Sequence, residues 1–469
     1  MKKRIVSVSL IITLGLSLIG AGRSELTQTE IATQTEAKMN VEIDTNKNII
    51  KGDNSIVFEN RTKTDLDEIY IRYLPPSILK DIGEGGSAEL IQVKQNTKAL
   101  DIIKHKDNSV YSVKLNESLK PGGKVTLDTK FISSIPNEKE RFGYQNGKKI
   151  KKEKIYQLSF FYPTASVLKN GKWNTNPYFS YGETGANTIS NYEVKLSVPK
   201  TYQVAASGDK VKSTTNKDKK VYLLKGDNLR DFAMVASNFI KKSQVNANGV
   251  KVNVWHQNDK KGNIFNKIAK KTATIAIKGF TNEIGKYPYG ELDIVQTFGG
   301  DMEYSGLVMI DGSSSIKNRQ DYERVIETTT SHEIGHQWFY STVGNDQYDE
   351  AWLDEGITTY CESVIYRETK YPKANILKEY GDLSKPEKIN KRVDEFNNNL
   401  DYANTVYSIG NEFLIALRRT MGDEKFSNAL KEYYRTYYLK EATTEDFASI
   451  IKKHDKTKKI EYIVRKYTA

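Results

Sequence analysis

Cysteine is almost absent from this chain of 469 residues, which contains only Cys361. A lone cysteine excludes an internal disulfide, zinc sites built from cysteine pairs and iron–sulfur clusters held by several thiolates. Histidine is also scarce, with five in the chain, so a metal site must combine histidine with carboxylate ligands. We interpret Cys361 as a core residue rather than a nucleophile, because it shares an apolar stripe at helical spacing with Leu353, Ile357 and Val364.

The chain also lacks a concentrated basic element, although 71 Lys and Arg against 59 Asp and Glu give a net charge of +12. Acidic residues are scattered among the basic ones, and the densest basic group, 148–154, is interrupted by Ile150 and Glu153. Nucleic-acid-binding proteins usually gather their basic residues on one element. We therefore expect no nucleic-acid partner and interpret the excess as a solubilising surface suited to an anionic envelope.

Beyond Gly22, no apolar run approaches the length of a membrane-spanning helix. Residues 1–22 combine a basic start, an uncharged and mostly apolar run from Ile5 and small residues at the end, which is typical of a signal peptide. The run is short for a span of about 20 residues, so cleavage is favoured over an uncleaved N-terminal membrane anchor. Either alternative predicts an exported protein, secreted or held on the outer face of the cytoplasmic membrane.

Hydrophobic periodicity divides the remainder into a short stalk and two domains. Residues 23–37 are rich in Thr, Gln and Glu and are predicted to form a flexible stalk. Residues 38–242 repeatedly alternate apolar and polar positions, most clearly from Tyr192 to Val198, which predicts a β-sandwich-like N-terminal domain. Residues 243–469 are dominated by helical spacing, so the fold class is α+β with a mainly α-helical second domain.

The strongest chemical signal is the motif His332-Glu333-Ile334-Gly335-His336, which contains two of the five histidines. On a helix, positions i and i+4 share one face, so both imidazoles can reach one metal ion. Glu333 would then lie near enough to act on a water at that ion. We expect Asp321 to cap this helix and Trp338 to belong to its apolar positions.

A third ligand is available in Trp352-Leu353-Asp354-Glu355-Gly356, on a predicted second helix that can pack against the first. By residue type alone, either Asp354 or Glu355 could complete the site. Two histidines and one carboxylate, with a fourth position left for water, are the arrangement of zinc hydrolases. The residues therefore predict a hydrolytic zinc centre.

These motifs resemble those of the aminopeptidase N-like zinc metallopeptidases of the gluzincin group. The family pattern is His-Glu-x-x-His, eighteen residues and then Glu, and residues 332–355 match it with Glu355 as the third ligand. Gly300-Asp301-Met302-Glu303-Tyr304 is similar to the second signature, Gly-x-Met-Glu-Asn, with Asp301 and Tyr304 as departures. Tyr407, in a Tyr-x-x-Gly context, fits the third signature.

The resemblance implies a saddle-shaped N-terminal β-domain followed by a thermolysin-like peptidase domain, without the helical C-terminal domain of many family members. It implies that one Zn²⁺ per chain is held by three ligands: His332, His336 and Glu355. It also implies two catalytic residues, since Glu333 would act as the general base and Tyr407 would donate a hydrogen bond to the oxyanion of the tetrahedral intermediate.

The resemblance further implies that the substrate's amino end binds along one segment, through Gly300, Met302 and Glu303, and that Glu303 receives the free α-amine. The family uses a second acidic or amide anchor from the N-terminal domain, for which no residue of this chain can be named. The expected function is that of an exported zinc aminopeptidase acting on peptides. Oligomeric state and residue preference at the first position are not predicted.

Two alternatives stay open. Endopeptidases of the thermolysin kind use the same zinc site, and the departures at Asp301 and Tyr304 make a secreted endopeptidase worth considering. A non-catalytic surface binding protein on the same fold is the other alternative, against which the complete ligand set and general base argue. Hydrolysis of free and of N-acetylated peptides distinguishes the two kinds of peptidase.

Overall fold

The computed structural model describes residues 31–83, 85–107, 109–147, 152–182, 188–312, 316–383 and 385–468. The predicted signal peptide or anchor, 1–22, lies outside these ranges. The first described strand begins at Ile31, so the last seven residues of the stalk predicted for 23–37 belong to a strand instead. Their polar composition was misleading because Thr33 and Gln34 are buried, and the Gln34 side-chain oxygen accepts the Ala165 N–H at 3.2 Å.

The first part of the chain consists almost entirely of strands. In chain order its elements are β1 Ile31–Asp44, β2 Ile49–Asn60, β3 Leu66–Arg72, α1 Pro75–Ile82, β4 Ala88–Gln95, β5 Lys98–Ala99, β6 Ile102–Lys104, β7 Val110–Leu119, β8 Lys124–Ser134, β9 Phe142–Asn146, β10 Lys154–Leu158, β11 Thr164–Ala165, β12 Leu168–Lys169, β13 Lys172–Trp173, β14 Ser190–Pro199, β15 Gln203–Ala206, β16 Asp209–Asn216, β17 Lys219–Leu229 and β18 Met234–Ser237.

These strands form sheets that share one core. The largest sheet has the order β16-β17-β14-β1-β2-β8-β4-β5, and smaller sheets have the orders β11-β3-β7-β6 and β15-β18-β10-β9. Apolar residues alternate along β14, where Tyr192, Val194 and Leu196 are buried, as the period of two predicts. Their side chains pack in one cluster with Ile69 of β3 and Leu158 of β10, which joins the layers into a sandwich-like domain.

The second part of the chain begins with a small sheet and continues into helices. Its elements are β19 Ile240–Ala247, β20 Val250–Gln257, α2 Lys260–Glu283, β21 Glu291–Thr297, β22 Leu307–Asp311, α3 Arg319–Gly335, β23 Val343–Gly344, α4 Trp352–Tyr360, α5 Arg367–Lys370, α6 Ile376–Glu379, α7 Asn399–Ala403, α8 Gly410–Met421, α9 Asp423–Tyr437, β24 Lys440–Glu441, α10 Thr444–His454 and α11 Lys458–Thr468. One π-helical turn spans Cys361–Tyr366 and continues α4, and a second spans Asn404–Ile409 and precedes α8. A 3₁₀ turn spans Val393–Glu395.

The boundary expected between residues 242 and 243 would cut through β19. This strand pairs along its length with β20, and the sheet order is β19-β20-β21-β22. The pairing therefore places the start of the second domain before Ile240. The predicted combination of a β-domain with a mainly helical domain is confirmed.

Helices of the second domain enclose a separate apolar core. Cys361 is fully buried in it, and burial raises the pKa of its thiol, which confirms a packing role. Phe179 and Tyr181 of the N-terminal domain pack against the same core and so join the two domains. Within the described part of the chain, no helix is both long and apolar enough to span a membrane.

Candidate active site

Helix α3 carries the first two predicted metal ligands at its C-terminal end. Asn318 caps its N-terminus, since the Asn318 side chain accepts the N–H groups of Gln320 at 2.8 Å and of Asp321 at 3.2 Å. Asp321, expected to be the cap, instead lies in the first turn. The helix ends at Gly335, with His336 as its C-terminal cap, so Trp338 packs into the core after the helix rather than on its apolar face.

A close helix contact brings the third ligand beside the histidines. A Cβ atom on Gly335 would lie 2.9 Å from the Thr358 methyl carbon, so glycine at this position lets α3 approach α4. Glu355 is on α4 and is 7% exposed. The side chains of His332, His336 and Glu355 therefore meet in the space between the two helices.

The three ligand atoms form a nearly equilateral triangle. His332 Nε2 and His336 Nε2 are 3.2 Å apart, and Glu355 Oε2 lies 3.2 Å from each of them. Ligand atoms about 2.0–2.1 Å from a tetrahedral zinc ion are about 3.3–3.4 Å apart, so the arrangement fits zinc. Among the described residues, this is the group of His, Cys, Asp and Glu whose geometry suits a metal ion.

Surrounding groups act on the protonation of all three ligands. Burial alone would lower the pKa of His336, but the charge of Glu355 raises it to about 9, so zinc binding must displace a proton from this imidazole. Nδ1–H of His336 can donate to the Phe339 carbonyl at 3.0 Å, which leaves Nε2 free as a ligand. Burial lowers the pKa of His332, which favours its neutral imidazole. Burial alone would raise the pKa of Glu355, but the two imidazoles hold it well below its usual range, so that it is a carboxylate.

Asp354, the other candidate ligand by residue type, has different partners. Its two carboxylate oxygens accept hydrogen bonds from Asn345 Nδ2 at 3.0 Å and from Gln347 Nε2 at 2.6 Å. The Asp354 side chain is thus held by two amides and does not belong to the triangle of ligand atoms. This geometry favours Glu355, as the family spacing implied.

Tyr407 reaches the site because two glycines allow its helix to approach α4. A Cβ atom on Gly356 would lie 3.1 Å from Gly410 Cα, and one on Gly410 would lie 2.9 Å from Gly356 Cα. Tyr407 lies in the π-helical turn before α8, a type of turn that is frequent at functional sites. Its hydroxyl donates to Glu355 Oε1 at 2.6 Å, and its ring stacks on His332 with centroids 5.7 Å apart.

Glu333, the predicted general base, lies among other carboxylates. It is 6% exposed, and burial raises its pKa well above the usual value. The negative charges of Glu303, Asp301 and Glu355 raise the pKa of Glu333 further, whereas His336 lowers it. Burial and the neighbouring carboxylates therefore both increase the proton affinity of Glu333.

The predicted substrate-binding residues lie on one segment, Gly299–Gly306, which we call the amine segment. Met302 pairs with Met309 of β22 through hydrogen bonds of 3.0 and 2.9 Å, so the segment forms an extra edge of the small sheet. Glu303 is 5% exposed, and its negative charge raises the pKa values of Glu333 and Tyr407, so it interacts electrostatically with both. The Asp301 carboxylate accepts the Asp311 N–H at 2.6 Å.

Three buried polar residues beside the site were not predicted from the sequence. Gln157, Asp231 and Gln337 are all less than 5% exposed. Asp231 accepts the N–H of Ser305 at 3.0 Å and the hydroxyl of Tyr340, and burial raises its pKa to about 6. Gln337 has one sequence signal, because it directly follows His336. Gln157 and Asp231 have no sequence signal.

Comparison with known proteins agrees with this geometry. The model of the peptidase family M1 domain matches residues 272–467, which include all three ligands of the triangle. The predicted resemblance to aminopeptidase N-like zinc metallopeptidases is thereby confirmed, and zinc is the metal that suits this site.

Similar curated proteins are aminopeptidases. Aminopeptidase N of Lactococcus lactis subsp. lactis is 29% identical over 169 residues, which are 31% of this chain and 19% of that protein. Endoplasmic reticulum aminopeptidase 2 of Homo sapiens is 23% identical over 242 residues, 46% of this chain and 24% of that protein. The chain thus spans about a fifth to a quarter of the length of these relatives.

Solved structures extend the likeness of fold to both domains. A mutant of the M1 zinc metallopeptidase of Deinococcus radiodurans has a TM-score of 0.70 at 15% identity, with 92% of this chain and 93% of that chain covered. The same enzyme bound to a Tyr-Ser-Ala substrate has a TM-score of 0.68 at 15% identity, with 93% and 94% covered. The N-terminal β-domain and the second domain therefore occur together in a known two-domain fold.

Proposed function

We propose that this protein is a zinc-dependent aminopeptidase that removes N-terminal residues from peptides. The observation that carries the proposal is the buried Glu303 carboxylate, which lies on the amine segment and interacts electrostatically with the candidate base, Glu333. A buried carboxylate close to the reacting bond suits an α-ammonium group, since a charge-assisted hydrogen bond there would hold the first peptide bond at the site. An internal peptide bond has no α-ammonium group that could pair with Glu303.

The metal triangle supports a hydrolytic reaction. Zinc held by His332, His336 and Glu355 would polarise the scissile carbonyl and make a water molecule more acidic. Glu333 would accept the proton from the attacking water and deliver it to the leaving amine. The carboxylates around Glu333 favour this uptake because their charges raise its proton affinity.

Tyr407 would supply a hydrogen bond to the developing oxyanion. Its hydroxyl donates to Glu355 Oε1 at 2.6 Å, at the edge of the metal triangle. Rotation about the phenolic C–O bond redirects the proton towards substrate while the ring stays stacked on His332. Burial and the charge of Glu355 raise the pKa of Tyr407 well above its usual value, which favours the protonated, donating form.

The two departures from the family's second signature do not favour an endopeptidase. The Asp301 carboxylate bonds to the backbone N–H of Asp311, and Tyr304 is 1% exposed in a core cluster where its ring meets Phe160 edge to face. Asp301 is thus held by a backbone hydrogen bond and Tyr304 by core packing, so neither departure creates a cleft for internal peptide bonds. Export to the outer face of the cytoplasmic membrane, or secretion, is part of the proposal and depends on residues 1–22.

Glu303→Gln tests the proposal because it removes the charge and retains the size. We expect kcat/KM for unblocked aminoacyl-arylamides to fall about ten- to a hundredfold, the value of one charge-assisted hydrogen bond. Glu323→Gln is the matched control, since Glu323 pairs with Arg319 on the exposed face of the same helix as the histidines. Equal activity of the Glu303 variant and the control would overturn the role of Glu303.

A further inference from the structure

Both polar atoms of the Gln337 side-chain amide form hydrogen bonds with the backbone of the amine segment. Its Nε2 donates to the carbonyls of Glu303 at 3.1 Å and of Tyr304 at 3.2 Å, and its Oε1 accepts the Gly306 N–H at 2.8 Å. Gln337 directly follows His336 and is fully buried. The backbone that carries Glu303 is therefore fixed to the same chain segment that provides a metal ligand.

Gln157 holds the other end of the amine segment from the N-terminal domain. Its Oε1 accepts the Phe298 N–H at 3.1 Å, and its Nε2 donates to the carbonyls of Gly299 and Glu140, both at 2.9 Å. Gln157 is on β10 and 1% exposed. A second buried amide thus joins the start of the segment to the other domain.

The amine segment depends on such support because its backbone is intrinsically adaptable. Gly299, Gly300 and Gly306 have φ values of +112°, +65° and +72°. Glycine adopts these conformations at little energetic cost, but it adopts other conformations just as readily. A Cβ on Gly299 would lie 2.1 Å from the Lys139 carbonyl oxygen, so the segment approaches the N-terminal domain closely. Hydrogen bonds from outside the segment therefore add to its own side-chain contacts in defining where Glu303 lies.

We propose that Gln157 and Gln337 are positioning residues for amine recognition, which set the place of Glu303 relative to the metal ligands and thereby select peptides with a free N-terminus. The inference rests on the proposed aminopeptidase function. Neither glutamine needs to touch substrate, because each acts through the backbone of the amine segment. A misplacement of about 1 Å at such a site can cost about a hundredfold in rate.

Gln157→Met and Gln337→Met test the proposal, since methionine has a similar length and lacks the amide. We expect kcat/KM for a free peptide to fall about ten- to a hundredfold, mainly through a higher KM. The acetylated form of the same peptide should be cleaved at its unchanged, residual rate, and zinc content should stay the same. The ratio of free to acetylated cleavage is the decisive quantity, because a loss of folded enzyme lowers both rates equally.

A buried glutamine away from the segment provides a matched control. Gln95 accepts the Asn116 N–H at 2.8 Å within the N-terminal domain. Gln95→Met should retain the wild-type ratio. A wild-type enzyme that cleaves both peptide forms equally would contradict the proposed function itself.

The inference alone fails if the wild type prefers the free form and the Gln157 and Gln337 variants keep that preference. For a variant that does not fold with methionine, the glutamate variant at the same position is measured, because it keeps the acceptor and loses the two donated bonds. Failure of both substitutions to fold would assign the glutamine to the stability of the fold and would also overturn the proposal.

Discussion

Tyr407→Phe removes a single hydroxyl from the candidate site and leaves the ring in place. The ring stacks on His332 with an interplanar angle of 20°, and phenylalanine preserves this packing. The lost group is the hydroxyl that donates to Glu355 Oε1 at 2.6 Å. Loss of one oxyanion donor costs about 3–4 kcal/mol in the transition state, so kcat should fall by about 10²–10³ with little change in KM.

The assay combines steady-state kinetics with zinc affinity, because the hydroxyl has two potential roles. If Tyr407 stabilises the oxyanion, kcat falls while zinc binding changes little. If Tyr407 only orients Glu355, zinc binding weakens and kcat at saturating zinc stays near the wild-type value. The second outcome would refute the catalytic role.

Tyr366→Phe is the matched control for this experiment. Tyr366 also lies in a π-helical turn, and its hydroxyl donates to the Glu327 carboxylate at 2.7 Å. The chemical change is therefore the same, but it occurs away from the metal triangle. We expect Tyr366→Phe to keep the wild-type kcat even where it lowers thermal stability.

Three further variants separate binding of the metal, proton transfer and stability. His336→Ala should abolish both zinc content, measured by atomic emission, and activity, and full activity of the wild type in strong chelator would contradict the metal site. Glu333→Gln should retain zinc while kcat falls about 10²–10⁴-fold, whereas loss of zinc would mean that Glu333 is a ligand. Asp293, whose pKa burial and Glu291 raise to about 7, keeps in the folded state a proton that the unfolded chain releases. The free energy of unfolding of the wild type should therefore fall as the pH rises from about 4 to 7. Urea unfolding should show Asp293→Asn to be more stable than the wild type by up to about 4 kcal/mol at about pH 8, and equally stable at about pH 4.

Features with local signatures were the ones that the sequence predicted well. Alternation along β14 predicted its buried face because strand side chains alternate with a period of two. The two histidines were predictable because four residues on a helix return to the same face. Glu355 required the family spacing, since residue type alone left Asp354 open until its amide partners were known.

Features that depend on distant contacts were not predictable. Gln157 bonds to a carbonyl 142 positions away, and no local pattern distinguishes it from other glutamines. The predicted stalk failed for a related reason, because Thr33 and Gln34 look solvated in sequence but are buried in a sheet. Polar residues that are buried through tertiary hydrogen bonds have the composition of surface residues.

The most direct test of the central claim is mass spectrometry of one long peptide incubated with the purified wild-type protein. The peptide is offered with a free and with an acetylated N-terminus, each with and without chelator. A zinc aminopeptidase should remove single residues stepwise from the free form, cleave the acetylated form only at a low residual rate and lose activity in chelator. Internal fragments from both forms would contradict this account and identify a zinc endopeptidase instead.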